Sequence, residues 1–536
     1  MPDVVPPELL DPHTPEEVII RPLAREPVTD PTFGEPVDRP SEGTPLHRLV
    51  AIGDSLTHGF QSAAIFNTDI SYPALIAYEL GWLDQFRRPH YWGFGGLPLN
   101  IEYLVRDLEE RFGSNIPTYK LPLAAFHARH WMAQAEQFWE SGPGSALPSS
   151  PLINHNLGVF GWDLRDAYER TFDVCEAEMR APKHQFIPNI ENGNNLAALR
   201  VLPSGDARMR GLTVFGAARE LAAQGTKESP REGDGIETLI VLLGANNALS
   251  SVTHFKVHWS GPGYEDLTKK NQYNVWRPSH FFSEFDLVAA EVEDIRARHV
   301  IWGTVPHVTV VPLAHGVGRD KQHPGSRYFE NYTWPWVDDA SFDAGTDPHL
   351  THQQARAIDS AIDMYNDHIA DRVKEARQKG LDWFLLDTAG ILDRMAHRRY
   401  ITDPAARPPW WTPYPFPPEV QALGIDSRFF KSDGRGRLEG GLFALDGVHP
   451  TTVGYGIVAQ EFMNVMHLAG VAFPQVDSGN PRGGSGPKLN WNRVIRRDSL
   501  ISAPPASLGA DLRIIGHLDE AIEIFQHLFR RGPSTP

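Results

Sequence analysis

At 536 residues with 41% hydrophobic side chains, including 14 Trp and 27 Phe, the chain has ample material for a large packed core. Its 67 acidic against 50 basic side chains leave a net charge of −17, which argues against a nucleic-acid surface, since that needs a basic patch. No run of about 18 apolar residues occurs, so no transmembrane helix is expected, and the single cysteine, Cys175, permits no internal disulfide.

Residues 1–45 are rich in proline and lack a sustained hydrophobic period, which predicts an extended arm, either disordered or laid over a domain surface. The opening Met1-Pro2-Asp3-Val4-Val5-Pro6-Pro7-Glu8 has neither the basic nor the apolar region of a Sec signal peptide, so a cytoplasmic location is expected. The apolar run Leu49-Val50-Ala51 predicts a strand that stops at Ile52-Gly53-Asp54-Ser55-Leu56-Thr57-His58-Gly59. Helices are predicted over Tyr72–Leu80, over Ile101–Leu108 and around Ala124–Trp139, followed by a Gly/Pro/Ser loop at Ser141–Pro151. Cys175, beside Phe172 and Val174, reads as a small buried hydrophobe.

Helical spacing recurs from Ala207 to Gln224, and Ile236–Leu243 reads as a buried strand running into Gly244-Ala245-Asn246-Asn247. A helix over Phe282–Arg298 and a strand over Val300–Val305 follow. Then come a His-containing loop at Pro306–Gly318, a long helix over Thr351–Lys379 and a strand at Trp383–Leu386. Strands alternating with helices predict an α/β fold with a parallel sheet covered on both faces. Pro408–Phe416 forms a rigid aromatic loop, either walling a site or packed as a surface flap. Asp433–Glu439 lacks the spacing of a calcium loop and reads as a Gly-rich turn. None of the 23 His falls in a His-Glu-x-x-His pattern, so neither a metal nor a cofactor is expected. The stripe Leu518-Ala521-Ile522-Phe525-Leu528 marks a C-terminal amphipathic helix.

Three short motifs carry chemistry. A strand that stops at Gly53-Asp54-Ser55 presents a serine hydroxyl at the carboxyl edge of a sheet, where open α/β sheets place their chemistry. A Gly-Asp-Ser-Leu tetrapeptide arises by chance in roughly one chain in a hundred of this length, so its partners decide the matter. A serine hydroxyl is a weak nucleophile that needs a base oriented by a third group. In Asp446-Gly447-Val448-His449-Pro450 the carboxylate, three residues before the imidazole, can fold back onto Nδ1 and leave Nε2 facing outward. Asp320-Lys321-Gln322-His323-Pro324 repeats the pattern but sits in a polar loop, whereas His449 follows an apolar segment and precedes the helix-like run Val453–His467. Asn246, at the end of a strand, can donate to a developing oxyanion. Asn194, in Gly193-Asn194-Asn195, follows a polar, Pro-containing stretch and is the weaker candidate.

Gly53-Asp54-Ser55-Leu56, Gly244-Ala245-Asn246-Asn247 and Asp446-Gly447-Val448-His449-Pro450 resemble, in order, the first, third and fifth blocks of the GDSL (SGNH) hydrolases. The family's second block is a glycine whose N–H joins the oxyanion hole. Asn156–Leu164 is similar to it with Gly161 in that place, while Gly95 or Gly96 is the rival. Trp92–Pro98 resembles the phospholipase-B-like branch. The resemblance implies a three-layer α/β/α sandwich with Ser55 as nucleophile, His449 as base and acid, and Asp446 orienting it. Ser55, Gly161 and Asn246 would form the oxyanion hole. Asn247 departs from the family, which usually has Asp there.

The implied organisation is an arm over 1–45, a hydrolase domain over 46–475 and a Gly/Pro-rich linker with the amphipathic helix over 476–536. Long insertions fall at about 86–155, 162–235, 306–350 and 400–440. The implied function is hydrolysis of a small-molecule, lipid or acylated-sugar ester, or of a thioester. The alternative is a non-catalytic ligand- or carbohydrate-binding protein on a degenerate scaffold.

Overall fold

A computed structural model describes residues 5–38, 43–114, 116–181, 190, 192–321, 326–474 and 486–506. Among these residues five strands form the central sheet: β1 (His47–Gly53), β2 (Asn156–Gly158), β3 (Ile236–Leu242), β4 (His299–Gly303) and β5 (Trp383–Leu386). Every pairing in it is parallel, in the order β2-β1-β3-β4-β5. Strands buried on both faces read as unbroken apolar runs instead of alternating ones. Leu49, Val50, Ala51 and Ile52 are such a run, pointing successively to opposite faces with none exposed.

The helices that bear on the site are α1 (Ser55–His58), α2 (Tyr72–Glu79), α3 (Val214–Ala222), α4 (Pro278–Ile295), α5 (His352–Gln378) and α6 (Thr452–Leu468). Helix α2 packs on β1 and on α6, which also reaches β4 and β5. The other three pack in sequence, with α3 on β1 and α5 on β5. Among the described residues no helix is long and apolar enough to cross a membrane.

The chain goes from β1 to its neighbour β2, then crosses back to β3 on the opposite side of β1. That reversal creates a switch point between β1 and β3, where parallel sheets leave a crevice at their carboxyl ends. Register aligns the three ends, since Gly53 pairs with both Gly158 and Leu242. The segments beginning at Asp54, Val159 and Leu243 therefore leave the sheet at one level.

Several segments differ from expectation. The helix read over Ala207–Gln224 is two, Ala207–Arg210 and α3, because Thr213 caps the second by accepting from Gly216 N–H. Part of the loop read at Pro306–Gly318 is the start of a strand, His315–Lys321, which pairs antiparallel with Phe329–Thr333. Segment 433–439 contains the expected turn, at 434–435, but also the strand Gly436–Glu439, which pairs antiparallel with Lys431–Asp433. Residues 5–38 of the arm follow the second of its two expected courses and lie over the body: Val18 is buried in the main core, and Arg25 pairs with Asp367 and Asp387. Residues 486–506, read as linker, instead put Trp491, Val494 and Leu500 into that core. There Asp498 accepts from Val453 N–H at the start of α6. The amphipathic stripe at Leu518–Leu528 and the rival His323 lie outside the described residues.

Candidate active site

A Cβ at Gly53 would stand 2.6 Å from the Leu242 carbonyl oxygen and 2.0 Å from Thr57 Oγ1, so the tight exit from β1 admits only glycine. Asp54 then caps α1, its carboxylate accepting from Leu56 N–H at 3.0 Å, which sets Ser55 as the first helical residue. Far along the chain, His449 brings Nε2 to 2.8 Å from Ser55 Oγ and Nδ1 to 3.1 Å from Asp446 Oδ2. A carboxylate only accepts, so Nδ1 carries a proton; in the neutral ring Nε2 then accepts from the hydroxyl.

Asp446 is wholly buried and saturated with donors. Oδ1 accepts from the N–H groups of Val448 and His449 at 2.9 and 2.8 Å, and Oδ2 accepts from Ala63 N–H at 2.9 Å. Burial pushes its carboxyl up, but the His449 imidazole and these hydrogen bonds outweigh burial and hold it below the usual carboxylate range. Ala63 reaches it through a turn in which Ser62 and Ala63 both adopt positive φ, 50° and 64°. Such backbone is costly for side chains other than glycine and persists where its surroundings over-determine it. No sequence signal could have marked Ala63, because it contributes only a main-chain N–H.

Beyond β2, Gly161 takes φ +76° and turns the chain toward the helix Leu164–Glu169. Asn246, directly after β3, donates from Nδ2 to Trp162 O at 2.9 Å. Its amide has a second N–H, and among the described residues no protein acceptor takes the backbone N–H of Ser55 or Gly161. Asn194 also belongs to this neighbourhood, which the polar stretch before it did not suggest. It donates to Phe160 O and accepts from Trp162 Nε1–H. Holding the Phe160 carbonyl turns the Gly161 N–H of the same planar peptide the opposite way. Gly95 and Gly96 instead lie against Tyr103 and Phe66. Asn247 keeps one half of a carboxylate's function: Oδ1 accepts from Leu164 N–H at 3.4 Å, while its buried Nδ2 finds no hydrogen-bond partner among the described residues.

Two buried groups brace the loop and went unnoticed in the sequence. His58 Nδ1 accepts from Phe160 N–H at 3.2 Å and its Nε2 meets Tyr91 OH at 2.7 Å, so the ring is neutral; burial pushes it down to about 3. Lys270, wholly buried, joins Asp163 and Asp166 at 2.7 and 2.8 Å just past Trp162.

Ser55 and His449 open onto a cavity of about 130 Å³ whose walls include Leu56, Leu249, Leu392, Phe443 and Ile457. Its lining is almost wholly apolar, with His307 and Glu461 among the few polar side chains. The aromatic loop Pro408–Phe416 does not line it, but Tyr414 OH donates to Glu461 at 2.5 Å. Cys175 is buried elsewhere in the core, where burial pushes its thiol up to about 12.

A serine bonded to an imidazole that is itself held by a buried carboxylate can attack an acyl carbon with that ring as base. Neither a protein-family model nor a curated protein matches the chain.

Proposed function

We propose that the chain is a serine hydrolase of carboxylic esters, built on the three-layer α/β/α sandwich of the GDSL (SGNH) hydrolases. The observation that carries this reading is the unbroken line from Ser55 Oγ through His449 to Asp446, at 2.8 and 3.1 Å. A scaffold that had lost catalysis would be under no constraint to keep it.

In this reading Ser55 Oγ attacks the ester carbonyl while His449 Nε2 takes its proton. The oxyanion is held by the N–H groups of Ser55 and Gly161 and by the Asn246 amide. Collapse expels the alcohol, which leaves with the proton from His449. Water, deprotonated by the same nitrogen, then releases the acid and restores Ser55. The acyl part of the ester lies in the apolar cavity beside Ser55, where burial of its methylene groups favours binding by about 0.8 kcal/mol each.

The test is hydrolysis of p-nitrophenyl esters of increasing acyl length, with fluorophosphonate labelling. Wild type should turn over and label, and Ser55→Ala should do neither, keeping below about one per cent of activity with an unchanged melting temperature. A folded wild type inert to every acyl length and to the fluorophosphonate would favour a binding protein on this scaffold.

A further inference from the structure

Val311 lines two cavities, the apolar one beside Ser55 and a second of about 40 Å³. The second is less apolar and carries cationic side chains on its walls. Arg327, Arg398, Arg399, His315 and His397 line it, and among the described residues its walls contain no carboxylate. Arg398 donates to His315 Nδ1 at 2.8 Å, so that ring is neutral and carries its proton on Nε2 as a further donor.

Positive charge is concentrated behind these walls. The guanidinium groups of Arg327, Arg356 and Arg399 all lie over the buried Tyr328 ring, at 5.2, 4.5 and 5.3 Å. The nearby carboxylates are engaged: Asp359 pairs with Arg399 at 3.0 Å, and Asp363 and Asp393 hold the two nitrogens of His307. Among the described residues, buried Arg327 Nε has no hydrogen-bond partner. An arginine cannot shed its proton to relieve this crowding, and unmatched buried donors are rare in folded proteins. An anion in the cavity would offset this concentration of positive charge.

We propose that this cavity is a binding site for one small oxyanion, a phosphate or carboxylate group, taken up by Arg327 and His315 among the neighbouring arginines. Its volume suits a single such group, with any larger body left outside. Charge attracts the group, and the planar guanidinium matches its paired oxygens. The site is independent of the ester-hydrolase reading, although Leu313, beside Val311, donates its N–H to Gly447 O at 2.9 Å in the loop that carries Asp446 and His449.

Isothermal titration of the full chain with inorganic phosphate, with acetate and with phenyl phosphate, at constant ionic strength in chloride, tests this. One saturable site for phosphate or acetate is expected. Phenyl phosphate binding equally well would identify the group on a larger molecule as the ligand, and its exclusion would identify the free anion. Either Arg327→Met or His315→Phe should weaken binding at least tenfold, whereas Ser55→Ala should leave it intact. Absence of saturable binding in wild type, or equal binding in both cavity variants, overturns the proposal. If neither variant folds, 15N-histidine spectra of wild type decide: an imidazole resonance must move saturably with phosphate, and a spectrum unchanged by it also overturns the proposal.

Discussion

Asp446 Oδ2 accepts a hydrogen bond from Ala63 N–H at 2.9 Å, although 383 residues separate the two in sequence. The same oxygen faces His449 Nδ1. The proposed orienting carboxylate is therefore gripped by the turn that follows Ser55 as well as by its own loop.

Replacing Asp446 with Asn tests that grip. If the remaining oxygen keeps the Val448 and His449 N–H groups, the new NH₂ faces two other donors, Ala63 N–H and His449 Nδ1. The imidazole should then adopt the wrong tautomer and kcat on a p-nitrophenyl ester should fall by about 10⁴-fold. The unmatched donors should also cost about 1–3 kcal/mol, read as an earlier urea midpoint. A kcat within tenfold of wild type would show that Asp446 does not orient His449.

Asn246 and Asn194 both grip the loop around Gly161, but in different capacities. Asn246→Asp places a negative charge where the oxyanion is proposed to form and where Trp162 O now receives a donor. We expect kcat to drop by roughly 10²-fold or more with little change in KM. Asn194→Ala only frees the Phe160 peptide to rotate, so its kcat should fall about tenfold, as positioning effects do. A larger loss at 194 than at 246 would reverse these roles.

His58 predicts a particular acid sensitivity. Its folded-state value, about 3, lies below the ordinary 6.5, so its contribution to stability is present above pH 6.5 and lost as pH falls toward 3. Within that window this one group should add a slope of about 1.4 kcal/mol per pH unit. His47, pushed by burial to about 4, and His155, pushed to about 2, act in the same direction. Urea midpoints between pH 7.5 and 4.5 should fall less steeply in His58→Asn than in wild type. Parallel slopes would disprove the assignment.

The apolar cavity sets an expectation for acyl length. Leu392→Trp should fill it, leaving kcat/KM for an acetate ester nearly unchanged while lowering that for an octanoate ester at least about tenfold. An unchanged ratio of the two would place the acyl chain elsewhere.

Local sequence determined much of this protein. The apolar runs at Leu49–Ile52 and Ile236–Leu242 mark strands because both faces of a parallel sheet exclude water. Gly-Asp-Ser and Asp-x-x-His-Pro are equally legible, since strand exit, cap and carboxylate–imidazole contact are fixed within a few residues. What lay far apart in the chain only the tertiary structure decided. The crossing back from β2 to β3 sets Ser55 and Asn246 at one crevice, and α6 follows the loop that delivers His449 to Ser55. Ala63 works through its own main-chain N–H and Asn194 through the main-chain carbonyl of a distant segment, and such groups leave no pattern in side-chain sequence. The arginines around Tyr328 likewise look like scattered surface charge until folding buries them together.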